Sequence, residues 1–284
     1  MAAQKEETYY YVPGPSAWPL VASFALLLMA AGSVMAMNKI GMGMPTLLAG
    51  VVVLLYMMHG WFAKVIGESR AGAYNKRVDV SFRWGMGWFI FSEVMFFAAF
   101  FGALFYIRTI SVPDLSSLEN AMIWPGFKAV WPTAGPAFKE HWDAMLPWGL
   151  PAVNTLLLLA SGATLTWAHW GLMKEQRKQL IIGLFLTIVL GAIFLTFQVE
   201  EYSHAYSEMN LKLSTGGYGS TFYLLTGFHG FHVTLGAIML AVMLFRSIKG
   251  DFSPKHHFAF EAVAWYWHFV DVVWLFLFVV VYWL

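Results

Sequence analysis

Seven stretches of this chain are apolar for about twenty residues each, the length a helix needs to cross the hydrocarbon of a bilayer. They run from Ala17 to Met37, Pro45 to Phe62, Trp84 to Ile107, Pro147 to Leu172, Leu180 to Val199, Tyr218 to Phe245 and Phe258 to Leu284. Most are apolar all round, so no helix-period stripe stands out, as expected of a span surrounded by lipid and other spans. Composition agrees. Of 284 residues, 59% are hydrophobic and 12% charged, half the charge that a water-soluble surface carries. The fold class expected is therefore all-α, a polytopic membrane protein with seven transmembrane helices. The net charge of +1 leaves no electrostatic footprint for nucleic acid. The absence of cysteine excludes disulfides, thiolate metal sites and thiolate nucleophiles from this chain.

Basic residues orient the spans. With the N-terminus inside, twelve of the seventeen Lys and Arg fall in inner segments: Lys5, then the Lys64–Arg83 group, then Lys174, Arg177 and Lys178, then Arg246, Lys249 and Lys255. The other five (Lys39, Arg108, Lys128, Lys139 and Lys212) fall outside. The N-terminus is expected in the cytoplasm and the C-terminus on the far, periplasmic side. The leader before the first span is not positive, since Glu6 and Glu7 outweigh Lys5, so that span reads as a helix to be kept rather than a signal peptide. One membrane domain, 1–284, is expected. It comprises a leader 1–16, two helices within 17–66, a cytoplasmic loop 67–83, and a five-helix bundle over 84–284. That bundle carries a long outer loop, about 108–146, rich in Pro, Gly and Trp. Trp and Tyr at span ends, such as Tyr9, Tyr10, Trp18, Trp84, Trp148, Tyr282 and Trp283, fit interfacial belts.

Ionisable residues inside spans are costly and stand out. His229 and His232, three apart on one helix face, suit either a metal or interhelical hydrogen bonds. Two ligands on one helix need a third from elsewhere, and no HExxH or Glu-x-x-His pair is present, so no metal site is expected. Glu93 lies near the middle of the third span and reads as a proton relay, a polar anchor, or a neutral acid making one structural hydrogen bond. Glu261, His268 and Asp271 are spaced to lie near one stripe of the last span, where they would orient one another or clamp a neighbouring helix together with His229. A triad reading lacks a nucleophile. Glu200, Glu201 and Glu208, at the outer end of the fifth span, suit a basic partner or a solvated helix end.

These same residues carry a resemblance. The run from Trp265 through His268 and Asp271 to Leu277 resembles the signature of cytochrome c oxidase subunit III, as do Gly227–Val233, Ser92–Phe97, Asn154-Thr155, Ser161-Gly162, Thr166–His169 and Arg83–Met86. The matches run in family order from about Trp61 to the end. The resemblance implies a V-shaped 2+5 bundle and an accessory subunit of a proton-pumping oxidase that passes electrons from cytochrome c to oxygen. It implies no redox centre in this chain, with haem and copper in partner subunits I and II, and phospholipids held in a cleft by Glu93, His232, Arg246 and Lys249. It also implies an inner-membrane location, taken here as bacterial. Subunit III of a quinol oxidase is the alternative, weakened because those proteins typically lack the first two spans. An independent transporter would show paired broken helices, which are not evident. The 70–80 loop departs from the family in having Tyr74 and Asn75 where a His pair is usual. Gly67 stands where an arginine is.

Overall fold

The computed structural model describes residues 11–284, so the reading of the leader at Lys5, Tyr9 and Tyr10 lies outside the described residues. Among the described residues, seven helices are long and apolar enough to cross a membrane. They are α1 (Trp18–Met37), α2 (Gly43–Arg70), α3 (Lys76–Tyr106), α4 (Leu150–Met173), α5 (Arg177–Ser207), α6 (Gly216–Lys249) and α7 (Phe258–Leu277). Wider π-helical turns extend α3 through Ile107–Ser111 and α7 through Phe278–Trp283.

Every span is where hydropathy puts it, but several helices run past the apolar stretch. α2 continues to Arg70, α3 begins at Lys76, and α5 runs from Arg177 to Ser207. The expected loop 67–83 thereby shrinks to residues 71–75. Hydropathy marks the part of a helix immersed in hydrocarbon, whereas Lys, Arg and Glu sustain a helix equally well beyond it. Asn75 starts α3, its side-chain oxygen accepting from the amides of Arg77 and Val78, each at 3.0 Å. The Tyr74 hydroxyl donates to Glu68 at 2.8 Å. Burial first, and then that hydrogen bond, raise the phenol above the ordinary tyrosine range. The two departures in this loop thus each have a local structural use.

Contacts divide the chain into two compact units, Met1–Phe82 and Arg83–Leu284. In the first unit, α1 and α2 pack along their length. Gly32 lies against the backbone of Leu47, and Gly43 against that of Ala36. At Gly50 an added Cβ would come within 2.7 Å of Met29. Small residues let two backbones approach where no hydrophobic force between helices is available.

The second unit uses the same device and adds hydrogen bonds. α4 and α5 approach at Gly183, which rests on Ala168, and the hydroxyls of Thr164 and Thr187 meet at 2.8 Å. Between α5 and α6, Tyr202 and Thr226 hydroxyls meet at 2.6 Å. Thr226 in turn gives its proton to the Phe222 carbonyl, so Tyr202 is the donor between them. α7 is the most buried span, and two of its three tryptophans, Trp267 and Trp274, have no exposure at all. α3 contributes differently. It reaches α6 and α7 through long aromatic side chains rather than close backbone approach, pairing Phe96 with Phe228, Phe97 with Phe269 and Phe101 with Phe276.

The outer loop folds back onto the second unit. Trp131 and Trp142 both pack on Tyr218, at 5.7 and 5.6 Å between ring centroids. Asn210 donates to Glu140, and Asp143 N–H to the Met209 carbonyl. Gly216 opens α6 with φ +54° directly under the Ala134 carbonyl, a position with room for no side chain.

Trp267 gives the clearest test of the packing. Cβ atoms at Gly191 and Gly236 would lie 2.7 and 2.8 Å from its ring, whereas Gly230 has nothing within 4 Å. Gly236→Val should destabilise the protein by about 1–3 kcal/mol through overpacking. Thermal unfolding in detergent should show a lowered midpoint for that variant and an unchanged one for Gly230→Ala.

Candidate functional site

Glu93 and His232 stand 139 residues apart in sequence, yet α3 and α6 bring them together. Glu93 Oε2 lies 2.9 Å from His232 Nε2. The other ring nitrogen, Nδ1, lies 2.6 Å from the carbonyl of Phe228 one turn back. A carbonyl only accepts, so Nδ1 carries a proton. Nε2 then either accepts from a protonated Glu93 or, as an N–H, donates to its carboxylate. Both arrangements place one proton between the two side chains, and either satisfies the acid in a low-dielectric setting. The ring is walled by Phe96, Phe97, Phe231 and Tyr266. His232 is 8% exposed at its side chain and Glu93 22%, so the acid keeps one edge open at the protein surface. Chemically the pair can hold or hand over a single proton near mid-span.

The expected clamp divides into separate contacts. His229 Nε2 donates to the Val270 carbonyl at 3.2 Å, tying α6 to α7, and its ring lies against Phe194 and Trp274. His229 and His232 therefore face different partners. His268 Nδ1 is 3.6 Å from Asp271 Oδ2, and that carboxylate oxygen lies against Gly162, where a Cβ would displace it. Glu261 does not join them. It meets Arg83 of α3 at 2.5 Å and His257 at 3.6 Å. The stripe drawn through Glu261, His268 and Asp271 is thus two sites, because seven residues on one helix also span about 10 Å along its axis.

Sequence reasoning missed the groups that bind α7 to its neighbours. Trp267 and Trp274 indoles donate to Ser161 and Thr155 of α4, both at 2.9 Å. Those hydroxyls pass their own protons to backbone carbonyls one turn back, at Leu158 and Pro151. Beyond them the Tyr282 hydroxyl donates to Glu201 at 2.7 Å. Glu201 is 1% exposed and Tyr282 6%, so of the three acids read as a solvated helix end Glu200 and Glu208 are exposed and Glu201 is buried, and Tyr282 is buried in the protein as well.

Arg246 also differs from expectation. Its Nε is 3.0 Å from Asp251 Oδ2, and its guanidinium lies 4.6 Å from the Phe252 ring centroid. Both charged side chains are largely buried. Asp251, five residues on, competes for the guanidinium that a headgroup was expected to take. Lys249 remains exposed. Arg177 reaches the Ile248 carbonyl at the same turn.

Comparison with known proteins bears on all of these residues. The family model described as cytochrome c oxidase subunit III matches residues 8–284. A cytochrome c oxidase subunit 3 from Prototheca wickerhamii is 45% identical over 265 residues, covering 93% of each chain. The one from Chondrus crispus is 44% identical over 275 residues, covering 96% of this chain and 93% of its own. The one from Bos taurus is 41% identical over 275 residues, covering 96% of each.

Changing the acid tests the shared proton. Glu93→Gln keeps a donor for Nε2 and should unfold close to the wild-type midpoint. Glu93→Leu strands a buried ring nitrogen and should cost about 1–3 kcal/mol, read as a lower midpoint in the same detergent. Only the wild type should show a carboxyl or carboxylate infrared band that disappears in Glu93→Gln.

Proposed function

The chain belongs to the cytochrome c oxidase subunit III family, and from that premise we propose that it is an accessory subunit with no redox centre of its own. Haem and copper reside in the partner subunits I and II. Electrons pass from cytochrome c to oxygen through those subunits while the complex pumps protons, and this chain stabilises the catalytic subunit, holds phospholipid and influences oxygen access and proton supply.

One observation carries this reading. The titratable groups near the middle of the spans and the largest indoles are committed to one another: Glu93 to His232, His229 to the Val270 carbonyl, Glu201 to Tyr282, and Trp267 and Trp274 of α7 to the hydroxyls of α4. A chain conducting its own electron transfer or solute transport would keep such groups for haem, metal or substrate. Spent on internal contacts, they make a rigid support with a wide apolar exterior for lipid and neighbouring subunits.

The chain is a multi-pass membrane protein. We read it as lying in a bacterial cytoplasmic membrane with its N-terminus in the cytoplasm. The supporting feature is the basic bias of the segments after α2, α4 and α6. Phospholipid would be held beside Glu93 and His232 and by Lys249 at the basic end of α6. Arg246, already paired, would support the turn after α6 instead.

Affinity purification through this chain should recover haem absorbance and cytochrome c-dependent oxygen uptake in one detergent-stable complex. A purified chain with neither would defeat the reading. Within that complex, Lys249→Gln should lower retained phospholipid while Arg246→Gln loosens the subunit. Glu93→Gln should leave the initial oxygen-uptake rate within about twofold of wild type, since electron transfer lies in other chains.

A further inference from the structure

At the end of the second unit that carries Arg83, three ligand-bearing side chains converge. They are His169 near the C-terminus of α4, His257 immediately before α7, and Glu261 in its first turn. One nitrogen of each imidazole and one Glu261 oxygen all lie within 4.8 Å of one another. We propose that these three residues bind a divalent transition-metal ion, with zinc as the best-matched species, tying the end of α4 to the start of α7.

Hydrogen bonding around the cluster shows why a cation is wanted there. His257 Nδ1 lies 3.1 Å from the Ser253 carbonyl and must donate to it. That fixes the tautomer and leaves the Nε2 lone pair facing Glu261 Oε1 at 3.6 Å, too far for a hydrogen bond. An acceptor thus faces an acceptor. His169 Nε2 is buried and has no hydrogen-bond partner. The second Glu261 oxygen meets Arg83 at 2.5 Å, but off the hydrogen-bonding direction, so the carboxylate is not saturated. A backbone carbonyl that orients one ligating histidine, and an arginine against the far oxygen of the carboxylate, form the outer support that metal ligands ordinarily have.

Donor type selects the metal. Two imidazoles and a carboxylate are borderline ligands that suit zinc, while magnesium and calcium prefer all-oxygen sets. Zinc bonds of about 2.0–2.2 Å place neighbouring donors roughly 3.3 Å apart in a tetrahedron. The 3.6 Å separation of His257 and Glu261 is close to that, and rotation of His169 would supply the rest. Three protein ligands leave a fourth position for water. Arg83 and the positive N-terminal pole of α7 oppose a cation, whereas the Glu261 carboxylate and the negative C-terminal pole of α4 favour it. Zinc has no redox chemistry, so such a site is compatible with a subunit that transfers no electrons.

The test uses the intact detergent-purified complex that contains this chain, equilibrated with Zn²⁺ and stripped of loose metal by gel filtration. Anomalous scattering on either side of the zinc absorption edge should give a peak among His169, His257 and Glu261. Elemental analysis should fall by one zinc per complex in His169→Gln and stay unchanged in His204→Gln, an exposed histidine paired with Glu208 on α5. If His169→Gln fails to assemble, the wild-type anomalous map decides alone. No peak in that map would overturn the proposal, as would an unchanged zinc count in an assembled variant. The three side chains would then be no more than neighbours at the junction of α4 and α7.

Discussion

Hydrocarbon solvates a leucine as well as another helix does, so the spans of this protein cannot be held together by the force that folds a soluble domain. What remains is close contact and hydrogen bonding, and the second unit depends on one set of each around α7. Gly191 and Gly236 accept the Trp267 ring from two sides. The indoles of Trp267 and Trp274 then find hydroxyls on α4, and Tyr282 finds Glu201 on α5. Each of these polar groups would be costly left alone in lipid. The aromatic bulk and its polar tips are therefore fixed by the same geometry, and the position of α6, through His229, follows from it.

The Glu93–His232 pair uses this frame without being central to it. α3 stands off from α6 and α7 and fills the gap with phenylalanines. A carboxyl group fits in that gap because an imidazole waits on the facing helix. The same stand-off leaves Glu93 partly exposed while its partner is buried. The pair thus sits at the edge of the second unit, one side accessible and the other sealed by the rings of Phe96 and Phe97.

Much of this architecture is legible in the sequence, since seven apolar runs and the basic bias between them are local properties. Helix ends are less so, because charged residues extend α2, α3 and α5 beyond the hydrocarbon without changing the hydropathy pattern. Pairings are least legible. Nothing in the local pattern joins Glu93 to His232, or His169 to His257, and Arg83 counts as one more basic residue until Glu261 appears beside it. Glu201 is instructive. It reads as one of three acids at a wet helix end, yet Gly183, Leu184, Thr187, Gly191, Phe194, Gln198, Glu201 and Ala205 form the buried face of α5 at helical spacing. Small and polar residues dilute that stripe below what a hydrophobic period can detect.

The direction of the hydrogen bonds onto α7 has a consequence for biogenesis. Trp267, Trp274 and Tyr282 are donors, and their acceptors Ser161, Thr155 and Glu201 belong to spans made earlier. While the ribosome is still threading α4, α5 and α6 into the bilayer, the receiving side of the lock exists and the giving side does not. Thr155 waits longest, for the 119 residues that separate it from Trp274, Ser161 for 106 and Glu201 for 81. A nascent chain that has passed Glu201 but not reached Tyr282 carries an acid whose donor does not yet exist, so the lock on α7 closes only as the last span is delivered.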